Sequence, residues 1–235
     1  MQLSQTTAEQ WLSHPRLHVY LHAASGNLDD ALDLYDWNAA VAAACLRDVG
    51  HFEVLIRNRY AAVLTQHYPD WTFPSNALWT IEAGIPQTRT KQRKLNQGSA
   101  NMVRKARNKT TPPSAGHTIA NLQFGFWMML TAAPREVTIW TPMLSPSFPG
   151  RSRGYVHDRM EKLNDFRNRL AHWEPVFSTT TGLAARLSEF DRFLTEVDAD
   201  VARWVGERST VMETVTQCPI PALNMVAPTY LGKAA

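Results

Sequence analysis

The chain has 235 residues, 44% of them hydrophobic, and a formal net charge of +3. That size and apolar content suit one sizeable domain or two small ones with a real core, and the mild basicity allows a nucleic-acid partner without pointing to one. No bilayer-spanning run is present: the most apolar stretch, residues 39–46, is too short and is flanked by Asp36, Asn38, Arg47 and Asp48. Residues 1–12 lack a basic segment followed by an apolar one, so no signal peptide and no membrane partner are expected. Cys45 and Cys218 match no metal or redox spacing, which points to a reducing, cytoplasmic setting. Cys45 lies in an Ala/Val-rich stretch and reads as a small buried apolar residue.

Helical spacing dominates the chain, with no internal repeat and no hairpin signal. Thr7 is placed to cap a short helix through Trp11 and Leu12. A second helix starts near Pro15 and carries Leu17, Val19, Tyr20 and Leu21 to a stop at Gly26. A long helix follows from about Leu28, with Asp29 and Asp30 at its positive end. Its apolar positions recur at three and four through Ile56, Gly50 marks a kink or a close helix crossing, and the pattern ends before Pro69. Residues 69–86, rich in proline, tryptophan and turn formers, are expected to pack irregularly over the core.

Residues 87–109 carry Arg89, Lys91, Arg93, Lys94, Arg104, Lys105, Arg107 and Lys109, and no acid occurs between Glu82 and Glu136. Two readings stay open: a solvated helix pair broken at Gly98, or an RNA-binding surface in which Arg89, Lys91, Arg93, Lys94, Arg104, Lys105 and Arg107 track phosphates. Pro112-Pro113 end this segment. Ser114 or Thr118 then caps a helix through Ile119, Leu122, Phe124, Phe126, Trp127 and Leu130, apolar nearly all round and therefore central to the core. Pro134 opens a short helix with Val137, Ile139, Trp140 and Leu144, and residues 145–150 form a loop. A helix from about Gly154 to Glu174 and a last amphipathic one from about Leu183 to Trp204 complete the pattern. The whole reads as one all-α domain over residues 1–235, of roughly six to eight helices, with 1–14 and 217–235 as peripheral or flexible ends. The tail from Cys218 carries three prolines and reads as extended or frayed.

The chemistry-bearing stretch is Phe166-Arg167-Asn168-Arg169-Leu170-Ala171-His172-Trp173-Glu174-Pro175. On a helical wheel Leu163, Phe166 and Leu170 form the buried stripe. Asn168 and His172, four apart, share another face. Arg167 precedes His172 by five residues, which rotates them about 140° apart on a regular helix, so they are not simple neighbours. A second copy of the helix across a two-fold axis would bring them together. Arginine can hold non-bridging phosphate oxygens bidentately, and histidine can move a proton near neutral pH. Together they suit cleavage of RNA by its own 2′-OH, a reaction that needs no metal and no cofactor. The structural alternative is a helix end at which His172 caps the last carbonyls and Arg167 makes an ion pair.

Arg167 to His172 resembles the Arg-x(4–6)-His signature of the HEPN superfamily, with its frequent polar residue after the arginine. The chain more specifically resembles the bacterial Abi-like (abortive infection, AbiD/AbiF type) proteins of that superfamily. Arg16-Leu17 to Tyr20-Leu21 resembles their opening helix, and Ala31 to Asn38 their Leu-Tyr-x-Trp-Asn segment. Phe52-Glu53-Val54 to Ile56-Arg57-Asn58 resembles their Glu-Val-x-Leu-Arg-Asn helix, and Phe124-Gly125-Phe126-Trp127 their Phe-Gly-Phe-Trp core helix. Ala171-His172-Trp173-Glu174-Pro175 resembles their Ala-His-His-Glu-Pro ending, and the order matches over roughly residues 15–180. The resemblance implies a HEPN-type bundle with a four-helix core and extra peripheral helices, and a homodimer whose motif helices meet in a cleft. It implies a metal-independent endoribonuclease that leaves a 2′,3′-cyclic phosphate in anti-phage defence or as a toxin. An antitoxin, protein or small RNA, is a further expected partner. Arg167 and His172 become the catalytic pair with Asn168 beside them. Trp173 departs from the pattern by standing where many relatives carry a second histidine.

Glu53 and Arg57, four apart, read first as an intrahelical pair, and as supporting residues in which Glu53 orients Arg167 or Arg57 joins the cleft. His14, His18 and His22 line one helix face and read as a solvated stripe rather than a zinc site.

Overall fold

The computed structural model describes residues 3–177, 182–220, 223 and 229–234. These residues are all-α in class, with ten α-helices and one two-residue strand pair. No helix among them is long and apolar enough to cross a membrane. The chain divides into two compact units, one of residues 1–50 with 165–235 and one of residues 51–164.

The first unit opens with α1 (Gln5–Leu12). Its cap is Ser4, not Thr7: Ser4 Oγ accepts from the Thr7 N–H at 3.2 Å. Helix α2 (His14–Ala23) has Pro15 in its first turn, and Gly26, at φ +86°, closes it by donating to the Leu21 carbonyl at 2.8 Å. Asn27 then caps α3 (Leu28–His67) by accepting from the N–H groups of Asp29 and Asp30 at 3.0 and 3.3 Å. Ala31, Leu34, Tyr35, Asn38, Val41, Ala42, Cys45 and Val49 form its buried stripe. Burial pushes the Cys45 thiol pKa up. At Gly50 the helical run is uninterrupted and there is no close helix crossing, since nothing lies within 4 Å of where a Cβ would be.

The expected last helix is two: α8 (Leu183–Val197) and α9 (Ala199–Arg208). Asp198 breaks the run at φ −161°, ψ 103°, and its Oδ1 accepts from the Val201 N–H at 3.1 Å, so a would-be mid-helix residue becomes an N-cap. A further helix, α10 (Val211–Thr216), follows. Part of the expected frayed tail lies outside the described residues. Its described end is instead tied down as β1 (Thr229–Tyr230) and β2 (Lys233–Ala234). Tyr230 is fully buried and donates to Asp48 Oδ2 at 3.2 Å, an oxygen that also accepts from Ser209 Oγ at 2.6 Å. Burial and the nearby Asp48 push the Tyr230 phenol well above its usual range. Gly206 lies against the Leu231 carbonyl oxygen, where a Cβ would collide.

The second unit takes Phe52, Ile56, Tyr60 and Leu64 of α3 into its core. Residues 69–85 are irregular apart from one 3-10 turn, Ala77–Thr80. Trp71, Trp79, Phe126 and Trp127 pack as an aromatic cluster, with Trp71 stacked on Phe126 at 6.1 Å and Phe126 edge-on to Trp127 at 4.9 Å. Trp79 Nε1 donates to the Trp71 carbonyl at 3.0 Å. The basic segment is a single helix, α4 (Pro86–Arg107), unbroken at Gly98. Its buried residues, Gln92, Asn96, Ser99, Val103 and Ala106, recur at helical spacing on both sides of that glycine, which outweighs the cost of about 1 kcal/mol that one glycine imposes.

The buried polar members of that stripe brace the loops around them. Gln92 accepts from the Ala83 N–H and donates to the Pro134 carbonyl, both at 2.7 Å, and Asn96 donates to the Ile81 carbonyl at 2.9 Å. Arg135, also fully buried, donates to Asn96 Oδ1 at 3.2 Å and Ser99 Oγ at 2.8 Å, and burial lowers its pKa to about 10. The expected core helix is interrupted: α5 (Ala115–Asn121), capped by Ser114, ends before α6 (Phe124–Met129), with Leu122 and Gln123 extended between them. Where Pro134 was expected to open an ordinary helix, a 3-10 turn leads into a π-helical segment, Glu136–Leu144, that contains Pro142. Helix α7 (Arg153–Ala171) contributes residues to both units.

Candidate functional site

The wheel for α7 matches the structure at its buried face: Leu163, Phe166 and Leu170 are 5%, 2% and 0% exposed. The end of the helix is closed by two bonds, Trp173 N–H to the Leu170 carbonyl and Glu174 N–H to the Arg169 carbonyl, both at 3.0 Å. Trp173 adopts the left-handed conformation at φ +53°. This is the Schellman pattern, which usually places glycine at that position. A side chain there costs on the order of 1–2 kcal/mol, so the surrounding contacts must hold it.

Asn38 supplies much of that hold. It is fully buried, accepts from the Val176 N–H at 2.7 Å, and donates to the Trp173 and Glu174 carbonyls at 3.4 and 3.5 Å. Arg16 of α2 donates to the His172 carbonyl at 3.2 Å. Three successive carbonyls past the helix end therefore have side-chain donors, which answers the orphan-carbonyl problem of any helix C-terminus. The Trp173 ring sits edge-on to Tyr35 at 6.1 Å, and Tyr35 is edge-on to both Trp11 and Tyr20. Arg169 bridges Asp165 at 3.2 Å and Glu174 at 3.0 Å, across the last turn. Arg169 is thus a structural clamp, whereas Arg167 is not part of any ion pair among the described residues.

Arg167 is half-buried and donates from Nη1 to Asn168 Oδ1 at 3.4 Å. The His172 side chain is exposed. No hydrogen bond or ion pair joins the side chains of Arg167 and His172 among the described residues, as the rotation of about 140° between them leads one to expect. The structure brings Arg167 and Asn168 together and leaves His172 to itself at the end of the helix. An exposed imidazole on a backbone fixed from three directions is suited to proton transfer, and a half-exposed guanidinium to gripping an anion.

The expected RNA-binding cations are divided. Arg93 makes a two-pronged bond to Glu82 at 2.8 Å, and its guanidinium holds the Glu82 carboxyl below the usual carboxylate range. Arg89 Nε donates to the Gly84 carbonyl at 2.8 Å, Arg104 to Asn101 at 2.7 Å, and Arg107 lies over the Phe73 ring at 3.9 Å. Lys91, Lys94 and Lys105 are exposed. Of the supporting pair, Arg57 donates from Nε to its neighbour Asn58 Oδ1 at 3.4 Å. His14, His18 and His22 are exposed, and no cluster of metal-ligating side chains occurs among the described residues.

Asn38 and Arg16 were not singled out from sequence as working residues. The signal for Asn38 was present, as an amide in phase with the buried stripe of α3. Arg16 carries no such signal, because its partner is a carbonyl far away in the chain. Set against models of known protein families, curated proteins and solved structures, the chain matches none.

Proposed function

We propose that this chain is a metal-independent endoribonuclease of the HEPN type, active as a homodimer in the cytoplasm, in anti-phage abortive infection or as a toxin. The observation that supports this reading is the ending of α7. There the sequence places Arg167, Asn168 and His172, and a buried amide and a second arginine fix the backbone that carries His172. Because Arg167 and His172 point apart on one helix, the working site is composed of two copies.

In that site His172 removes the proton from a ribose 2′-OH. The 2′ oxygen attacks the adjacent phosphorus, the bond to the 5′ oxygen breaks, and the leaving oxygen takes a proton from water, whose hydroxide takes back the proton held by the imidazolium. Arg167 holds the non-bridging oxygens as charge builds on them, and Asn168 positions Arg167. The products are a 2′,3′-cyclic phosphate and a 5′-hydroxyl. Removing the general base is expected to cost about 10²–10⁴-fold in cleavage. Arg167→Ala and His172→Ala, purified with unchanged helical content, are expected to lose RNA cleavage, and cells expressing them to grow where wild type arrests. Undiminished cleavage by both variants contradicts the proposal.

One observation favours a second reading, a non-catalytic module that binds RNA, nucleotide or a protein partner. Trp173 occupies the place of a second histidine and is held in a left-handed turn against Tyr35. Wild type and His172→Ala that restrain growth equally, with RNA retained but uncut, would favour that module.

A further inference from the structure

The gap between α5 and α6 opens a cavity of about 170 Å³ lined by Met102, Lys105, Ala106, Lys109, Leu122 and Gln123, with Asn121 at its edge. Leu122, 4% exposed, and Ala106, 3% exposed, give it an apolar floor. Asn121 and Gln123 bring amide groups to the rim, and the Asn121 Nδ2 is directed by its bond to the Ala106 carbonyl at 3.4 Å. Lys105 stands on the last turn of α4 and Lys109 in the turn just past its C-cap Asn108, and both line the cavity. The space is smaller than a drug-sized site and suits one planar ring.

The cations of α4 are sorted around its buried stripe. At 3.6 residues per turn, Arg89, Arg93, Arg104 and Arg107 fall on one flank. Lys91, Lys94 and Lys105 fall on the other, with Met102, and Lys109 follows just past the helix end. Each arginine already has a partner, an acid, a carbonyl, an amide or an aromatic ring. The side chains of these lysines make no hydrogen bond or ion pair among the described residues, and all four are exposed. From Lys94 to Lys105 the flank runs about 16 Å and ends at the cavity.

We propose that this lysine flank and cavity bind single-stranded nucleic acid, with one unpaired base seated on Met102, Ala106 and Leu122 and its phosphates held by Lys105 and Lys109. An apolar floor with amides at the rim recognises the face and edge of a base. An acidic peptide would use the lysines but would leave the floor empty. The base is held by contact with apolar surface, and the phosphates by charge. The site goes beyond the ribonuclease reading and stands whether or not the chain cuts RNA.

The test uses the full chain and a labelled 2′-O-methyl oligoribonucleotide of about twelve nucleotides, which has no free 2′-OH to attack. Wild type is expected to bind it more tightly than the matching duplex. Lys105→Gln combined with Lys109→Gln is expected to weaken binding about tenfold and to lower the salt slope by about 0.7 per lysine. Arg104→Gln, on the engaged flank, is expected to change affinity by less than about twofold. A strand of the same length without bases is expected to bind about tenfold more weakly. A deoxy strand that binds equally well supports the site for either nucleic acid, and a weaker one assigns it to RNA. Unchanged binding by the double-lysine variant, equal binding of the baseless strand or of the duplex, or displacement by polyglutamate at matched charge each overturns the proposal.

Discussion

His172 is informative for what surrounds its backbone rather than its ring. Its carbonyl is held by Arg16, and the two carbonyls after it by Asn38, an amide with no exposed surface. Asn38→Ala strips the buried Val176 N–H of its acceptor and is expected to lower stability by about 1–3 kcal/mol. Chemical denaturation measures that loss, and a change below about 0.5 kcal/mol would remove Asn38 from its bracing role. At this scale the sequence was partly legible. The arginine, amide and histidine announce themselves by type and spacing. Asn38 did not, because a lone asparagine reads as surface until its phase with Leu34, Val41 and Cys45 is given weight.

Among the elements, periodic stripes were readable and interruptions were not. The buried faces of α3 and α7 follow from three-and-four spacing, whereas that of α4, mostly polar, reads as solvated. The breaks at Leu122–Gln123 and at Asp198 depend on packing and capping that local propensity does not encode. Glycines show the same limit. Gly98 looks like a helix breaker but lies inside α4 with nothing within 4 Å of a Cβ. Gly98→Ala is therefore expected to raise stability by about 0.5–1 kcal/mol. Gly206 sits in α9 against the Leu231 carbonyl. Gly206→Ala is expected to cost about 1–3 kcal/mol and to loosen the pairing of β1 with β2. Thermal melts of the two variants should move in opposite directions, and a shift of the same sign in both would refute this account of the two glycines.

For the whole molecule, the all-α class was legible from composition and spacing. The division into two compact units was not, because α3 and α7 each run as one periodic pattern through both. The proposed site also belongs to this scale, since one chain does not join Arg167 to His172. Mixing inactive Arg167→Ala with inactive His172→Ala is expected to restore part of the cleavage, because a mixed dimer keeps one intact arginine and one intact histidine on opposite copies. A mixture as inactive as its components would mean that the two groups act within a single chain. The central claim is met most directly by incubating the purified protein with total RNA in the presence of a chelator and mapping the product ends. The account predicts 2′,3′-cyclic phosphate and 5′-hydroxyl ends from wild type and none from His172→Ala; intact RNA after incubation with wild type would contradict it.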